Sequence, residues 1–100
     1  MPRTSNKILR ENAMRVLDYV SEVSARNRDH VAPLSHKQIA SRFNLSIQQV
    51  RFLCGRLESQ GFIVRRPRYA EDGGQLANGY ALTTQGRMAL REARRLEVLF

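Results

Sequence analysis

Apolar residues recur at helical spacing along most of this chain, and the breaks between the periodic stretches divide it into elements. Across residues 5–26 Ile8, Leu9, Ala13, Val16, Leu17, Val20 and Val23 follow a 3.6-residue period, which predicts a long first helix. A polar loop with Asn27, Arg28 and Asp29 follows, then residues 31–34. There Ala32 precedes Pro33 and is biased out of the helical region, so a short extended segment is expected. Two shorter stripes come next. Ile39, Ala40 and Phe43 share one face, and Val50, Leu53, Cys54 and Leu57 share another. After Gly61 the run Phe62-Ile63-Val64-Arg65-Arg66 is β-branched and aromatic, as a strand requires, with Pro67 making it an edge or ending it. Residues 68–78 read as an exposed loop, and Gly79-Tyr80-Ala81-Leu82 as the returning strand. Thr83 is placed to cap a last helix, residues 84–95, with Met88 and Leu90 as its apolar contacts and Gly86 as a weak point in its first turn. The expected order is α-β-α-α-β-β-α, mainly α with a small β-hairpin, in a single domain over residues 1–95.

The two short stripes open with the same device. Ser35 stands three residues before Gln38, and Ser46 three before Gln49, so S-x-x-Q occurs twice. Such a capping box satisfies orphan amides of the first turn reciprocally. Phe43-Asn44-Leu45 forms the link between the two helices, and Asn tolerates the positive φ that a tight turn demands. Small Ala40 lets the second helix cross closely over the first, and Gly61 is a good residue just past its end. Two capped helices joined this tightly have the layout of a helix-turn-helix, whose second helix enters the DNA major groove. An ordinary helical hairpin would share the periodicity but has no need of the duplicated cap or the basic surroundings.

Charge strengthens that reading. The 100 residues carry 17 Lys+Arg against 9 Asp+Glu, a formal net charge of +8. A polyanionic partner, nucleic acid first, fits such an excess, whereas solubility alone does not require it. The hydrophobic content of 42% is that of a folded domain, not a basic tail. A lone Cys54 on an apolar face fits a buried thiol better than a redox sensor. No apolar run is long enough to span a bilayer and no signal peptide is evident, so a cytoplasmic, nucleoid-associated setting is expected. The terminal Leu96-Glu97-Val98-Leu99-Phe100 resembles the start of a protease site used to remove purification tags, LEVLFQGP, and residues 96–100 are set aside as a tag remnant.

A hairpin directly after the second helix of the motif is the winged form of the helix-turn-helix. Leu45-Ser46, Val50, Arg56-Leu57-Glu58 and Gly61-Phe62-Ile63, with Tyr80-Ala81-Leu82-Thr83-Thr84-Gln85-Gly86, resemble the MarR-like branch of that superfamily over residues 34–95. The last group is similar to the family's strand-to-helix element L-T-x-x-G. The resemblance implies a dimeric transcription regulator, often one that senses a small molecule or an oxidant. The chain departs from the family by being short, without the further terminal helices of its dimerisation region. That weighs against an effector pocket, which lies between the two regions.

Candidate contacts follow from the expected faces. Opposite Val50, Leu53 and Leu57 stand Ile47, Gln48, Arg51, Phe52 and Gly55. Gln48 and Arg51 are assigned to direct readout, since Gln pairs with the edge of adenine and Arg with that of guanine. Ile47 and Phe52 complete the base-facing set, although Phe52 fits a protein interface as well as it fits thymine methyls. Ser35, His36, Lys37, Ser46 and Gln49, at the two helix starts, are expected at phosphates. Arg56 suits either a phosphate or a pairing with Glu58. Arg65, Arg66 and Arg68 are expected to carry the wing's backbone or minor-groove contacts, or else to form a solvated basic edge. The acidic Glu71-Asp72 pair is out of place beside phosphates. His30 and His36 have no supporting Cys or acidic cluster, so neither a metal nor a cofactor is expected, and no catalytic constellation is present. The expected function is sequence-specific binding of double-stranded DNA by a homodimeric regulator, probing an inverted repeat and acting as a repressor. The alternatives are a role in replication, partition or DNA architecture, and a winged protein-interaction module.

Overall fold

The computed structural model describes residues 6–69 and 71–96, with the backbone alone for residues 75–77. Its elements are α1 (Asn6–Ala25), α2 (His36–Phe43), α3 (Ile47–Ser59), β1 (Ile63–Tyr69), β2 (Gln75–Leu82) and α4 (Thr84–Arg95). The tag-like end beyond Leu96 lies outside the described residues.

Both capping boxes form. The Gln38 amide donates to Ser35 Oγ at 3.1 Å while the Ser35 amide donates to Gln38 Oε1 at 2.8 Å. In α3 the matching distances are 3.0 and 2.8 Å, for Gln49 to Ser46 and back. Asn44 takes the left-handed conformation, φ 55°, and its amide and that of Leu45 both close on the Ala40 carbonyl. The far end of α3 closes as a Schellman turn. Gly61, at φ 76°, donates to the Glu58 carbonyl and Phe62 to that of Leu57. These local bonds fix α2 and α3 as the sequence predicts, and Ala40 is buried in the core.

The apolar stripes meet in one core. Val16, Leu17 and Val20 of α1, Ile39 of α2, Val50, Cys54 and Leu57 of α3, and Ile63 of β1 are all essentially without solvent exposure. The stripe of α1 is thus largely consumed inside the chain, against α3, β2 and α4. Tyr19 of α1 meets Phe43 of α2 edge to face at 5.6 Å, and the Arg42 guanidinium lies 5.5 Å from both ring centroids. Asp18 of α1 is paired with Arg94 of α4.

Three expectations need correction. The extended segment at 31–34 reaches the sheet through one bridge, Ala32 to Tyr80, whose amides exchange bonds of 2.7 and 3.0 Å. The hairpin is longer than its apolar pattern suggests. Arg68 still pairs with Leu76 and Tyr69 with Gln75, and Pro67 is accommodated at a register shift between Arg66 and Arg68. Met88 is 62% exposed: Gly86, Leu90 and Ala93 form the inner face of α4, and Met88 lies two residues off that face.

Gly86 is a fitted position, not a weak one. A Cβ there would stand 2.1 Å from the Phe62 carbonyl oxygen. The start of α4 therefore packs directly against the entrance to β1. Thr83 secures the junction, its hydroxyl donating to the Gly61 carbonyl at 2.6 Å and accepting from the Gly86 amide at 2.9 Å.

Candidate nucleic-acid interface

The outer face of α3 emerges from the pattern that buries the inner one. With Val50, Leu53, Cys54 and Leu57 turned inward, Ile47, Gln48, Gln49, Arg51, Phe52 and Gly55 are all exposed. No Cβ at Gly55 would meet anything within 4 Å, so the backbone is open to close approach there. Phe52, 57% exposed, borders a cleft of about 480 Å³ between α1 and α3, together with Leu9, Leu45 and Gln48.

The cap residues keep donors to spare. The Ser35 and Ser46 oxygens accept from their helices, which leaves each hydroxyl hydrogen and the side-chain Nε2 of exposed Gln49 as donors. Lys37 is exposed in the first turn of α2. His36 differs from the surface residue expected. Its ring is half-buried, stacks on Tyr80 at 6.2 Å between centroids, and brings Nε2 within 2.9 Å of the Tyr80 hydroxyl. Burial lowers its pKa, with Arg65 and Arg51 adding to the effect, so it is a neutral imidazole at pH 7 and not a standing cation.

The hairpin arginines are not equivalent. Arg65 Nε donates to Glu58 Oε1 at 3.1 Å, so Glu58 pairs with the wing and not with Arg56. Arg66 is exposed on the strand. Arg68 departs from the expected role, because it turns inward. Its Nε is buried 3.7 Å from Asp29 Oδ2, tying the hairpin to the α1–α2 loop. Asp72 has a local task, since its Oδ1 accepts from the Gly74 amide and shapes the turn.

Arg51 of α3 and Arg65 of β1 both act electrostatically on His36 at the start of α2. The cap of α2 and the root of the hairpin thus line one crevice through Ser35, His36 and Arg65, with Arg51 on the exposed face of α3 close enough to act on His36. Sequence reasoning missed Tyr80, which joins these parts through Ala32 and His36. Its place in a strand run gave no sign of that. Among the described residues no group of three or more His, Cys, Asp or Glu could hold a metal, and no helix is long and apolar enough to cross a membrane.

This architecture matches solved structures. A MepR variant of S. aureus aligns with 93% of the chain at TM-score 0.65 and 18% identity. Lactococcus lactis ZitR aligns with 95% at 0.60 and 16%, and Streptococcus pneumoniae FabT, solved in complex with DNA, with 85% at 0.59 and 21%. The fold is shared with these structures, a winged helix-turn-helix. The chain spans 58%, 56% and 52% of the length of these three structures. No protein-family model and no curated protein matches its sequence.

Proposed function

We propose that the protein binds duplex DNA with α3 in the major groove and regulates transcription, acting as a homodimeric repressor on an inverted repeat. The observation that carries this reading is the convergence of the polar outer face of α3 with the capped start of α2 and the basic hairpin root. Gln48 and Arg51 read base edges, and Ile47 and Phe52 cover thymine methyls. Ser35, Lys37, Ser46, Gln49 and Arg56 hold phosphates, and Arg65 and Arg66 follow the backbone beside the groove. FabT, whose fold is similar, was solved with DNA. Selection of bound sequences from randomised duplex tests the reading. A selected site should bind at least ~10³-fold more tightly than random duplex at physiological salt. Equal affinities would indicate architectural binding.

Phe52 supports a second reading, a protein-interaction module. Its exposed ring beside the α1–α3 cleft is an anchor of the kind that docks a partner. Phe52→Ala separates the two, because loss of protein capture with intact DNA affinity would favour the module.

A further inference from the structure

His36 opens α2, yet its ring lines a crevice of about 190 Å³ between that helix start and the hairpin, with Ser35, Arg65 and Tyr80 in the wall. The groups that face it are Arg65 from β1, Arg51 and Glu58 from α3, and Tyr80 from β2, with Cys54 of α3 behind Tyr80 and Lys37 next along α2. Tyr80 and Cys54 stay protonated, since burial pushes them up to about 12 and about 11. The Tyr80 hydroxyl is therefore neutral, and it shares a hydrogen bond of 2.9 Å with His36 Nε2 in which the imidazole tautomer decides the donor. Among the described residues Glu58 is the carboxylate that acts on His36, and it is engaged by Arg65. The free protein thus holds His36 neutral in a cationic crevice open to a polyanion.

We propose that His36 takes up a proton when a phosphate of duplex DNA enters this crevice, so that DNA affinity rises as pH falls. This deepens the duplex-binding reading and rests on it. The phosphate charge favours the imidazolium that Arg65 and Arg51 disfavour, so the bound pKa lies above the free one. Affinity then climbs as pH drops through the bound value and levels off below the free value. Stability of the free protein has the opposite sign. Its lowered His36 pKa favours folding above the unfolded value and loses that contribution as pH falls below 6.5.

The test is duplex affinity from pH 8 to 5.5 at fixed salt for the full chain, His36→Gln and a His30→Asn control. The wild type should gain about tenfold, corresponding to a difference of about one pKa unit, and His30→Asn should follow it. His36→Gln should be flat across the range, whatever its affinity. Calorimetry in buffers of different ionisation heat should find proton uptake in the wild type and less in His36→Gln. Equal pH slopes for wild type and His36→Gln, with duplex binding intact, would overturn the inference alone. Absence of duplex binding at every pH would overturn both it and the reading beneath it.

Discussion

Arg51, Arg66 and Cys54 show how far surroundings decide what a residue does. Arg51 stands exposed on α3, and Arg66 stands exposed on β1 opposite Gly79. On the proposed reading the first meets base edges and the second only the backbone. Arg51→Ala should therefore cost about 1–3 kcal/mol on the best site and relax preference at one base pair. Arg66→Ala should weaken all duplexes alike and lower the salt slope by roughly 1. Binding of both variants to matched and single-mismatch duplexes across a salt series distinguishes these effects. Should Arg51→Ala weaken every duplex equally, Arg51 is an anchor and Gln48 is the next candidate for readout. Cys54 belongs to the core, where burial pushes its thiol up to about 11 and deprives it of the thiolate form at neutral pH. Native protein should react with iodoacetamide at pH 8 at least about tenfold more slowly than protein in denaturant. Comparable rates would mean the α3 face opens readily.

The elements were legible in the sequence to the degree that their determinants are local. Both S-x-x-Q boxes and Asn44 act within four residues, and they fix α2, the turn and α3 as read. Ser46→Ala should accordingly cost about 1 kcal/mol in urea unfolding, through the lost bond to the Gln49 amide. Gly86 reverses the local expectation. Helix propensity alone says that Ala there should stabilise α4 by up to about 1 kcal/mol. The Phe62 carbonyl, 2.1 Å from where the Cβ would go, says that it should destabilise by about 1–3 kcal/mol. A stabilised Gly86→Ala protein would refute the close junction between β1 and α4. The same contrast explains what sequence reasoning could not reach. The outer hairpin projects into solvent, so apolar alternation does not mark its pairing through Tyr69 and Gln75. His36–Tyr80, 44 residues apart, Arg65–Glu58 and Arg68–Asp29 depend on how elements pack, and no spacing rule encodes them. The apolar character of Met88 suggests a core contact, but its position off the 86–90–93 face leaves it exposed.

At the scale of the whole molecule the open question is what covers the apolar groups that the core leaves out. α1 packs most of its stripe internally, so a dimer surface is expected on α4, where Met88 is 62% exposed. One recognition helix reads a few base pairs, and two-fold pairing doubles the site and makes it an inverted repeat. On the proposed reading the solution mass should be near twice 11.5 kDa, and the half-sites should lie ~34–36 Å apart on the duplex. Met88→Lys places a charge on the exposed side of α4 without touching the core, so it should leave thermal unfolding of the protomer unchanged. If α4 forms the interface, the same substitution should shift the mass toward the monomer and abolish cooperative binding to the paired site, while a single half-site is still bound. A wild-type monomer at micromolar concentration, binding an asymmetric site without cooperativity, would end the dimer proposal. A dimer untouched by Met88→Lys would move the interface away from α4, to the α1–α3 side that carries Phe52.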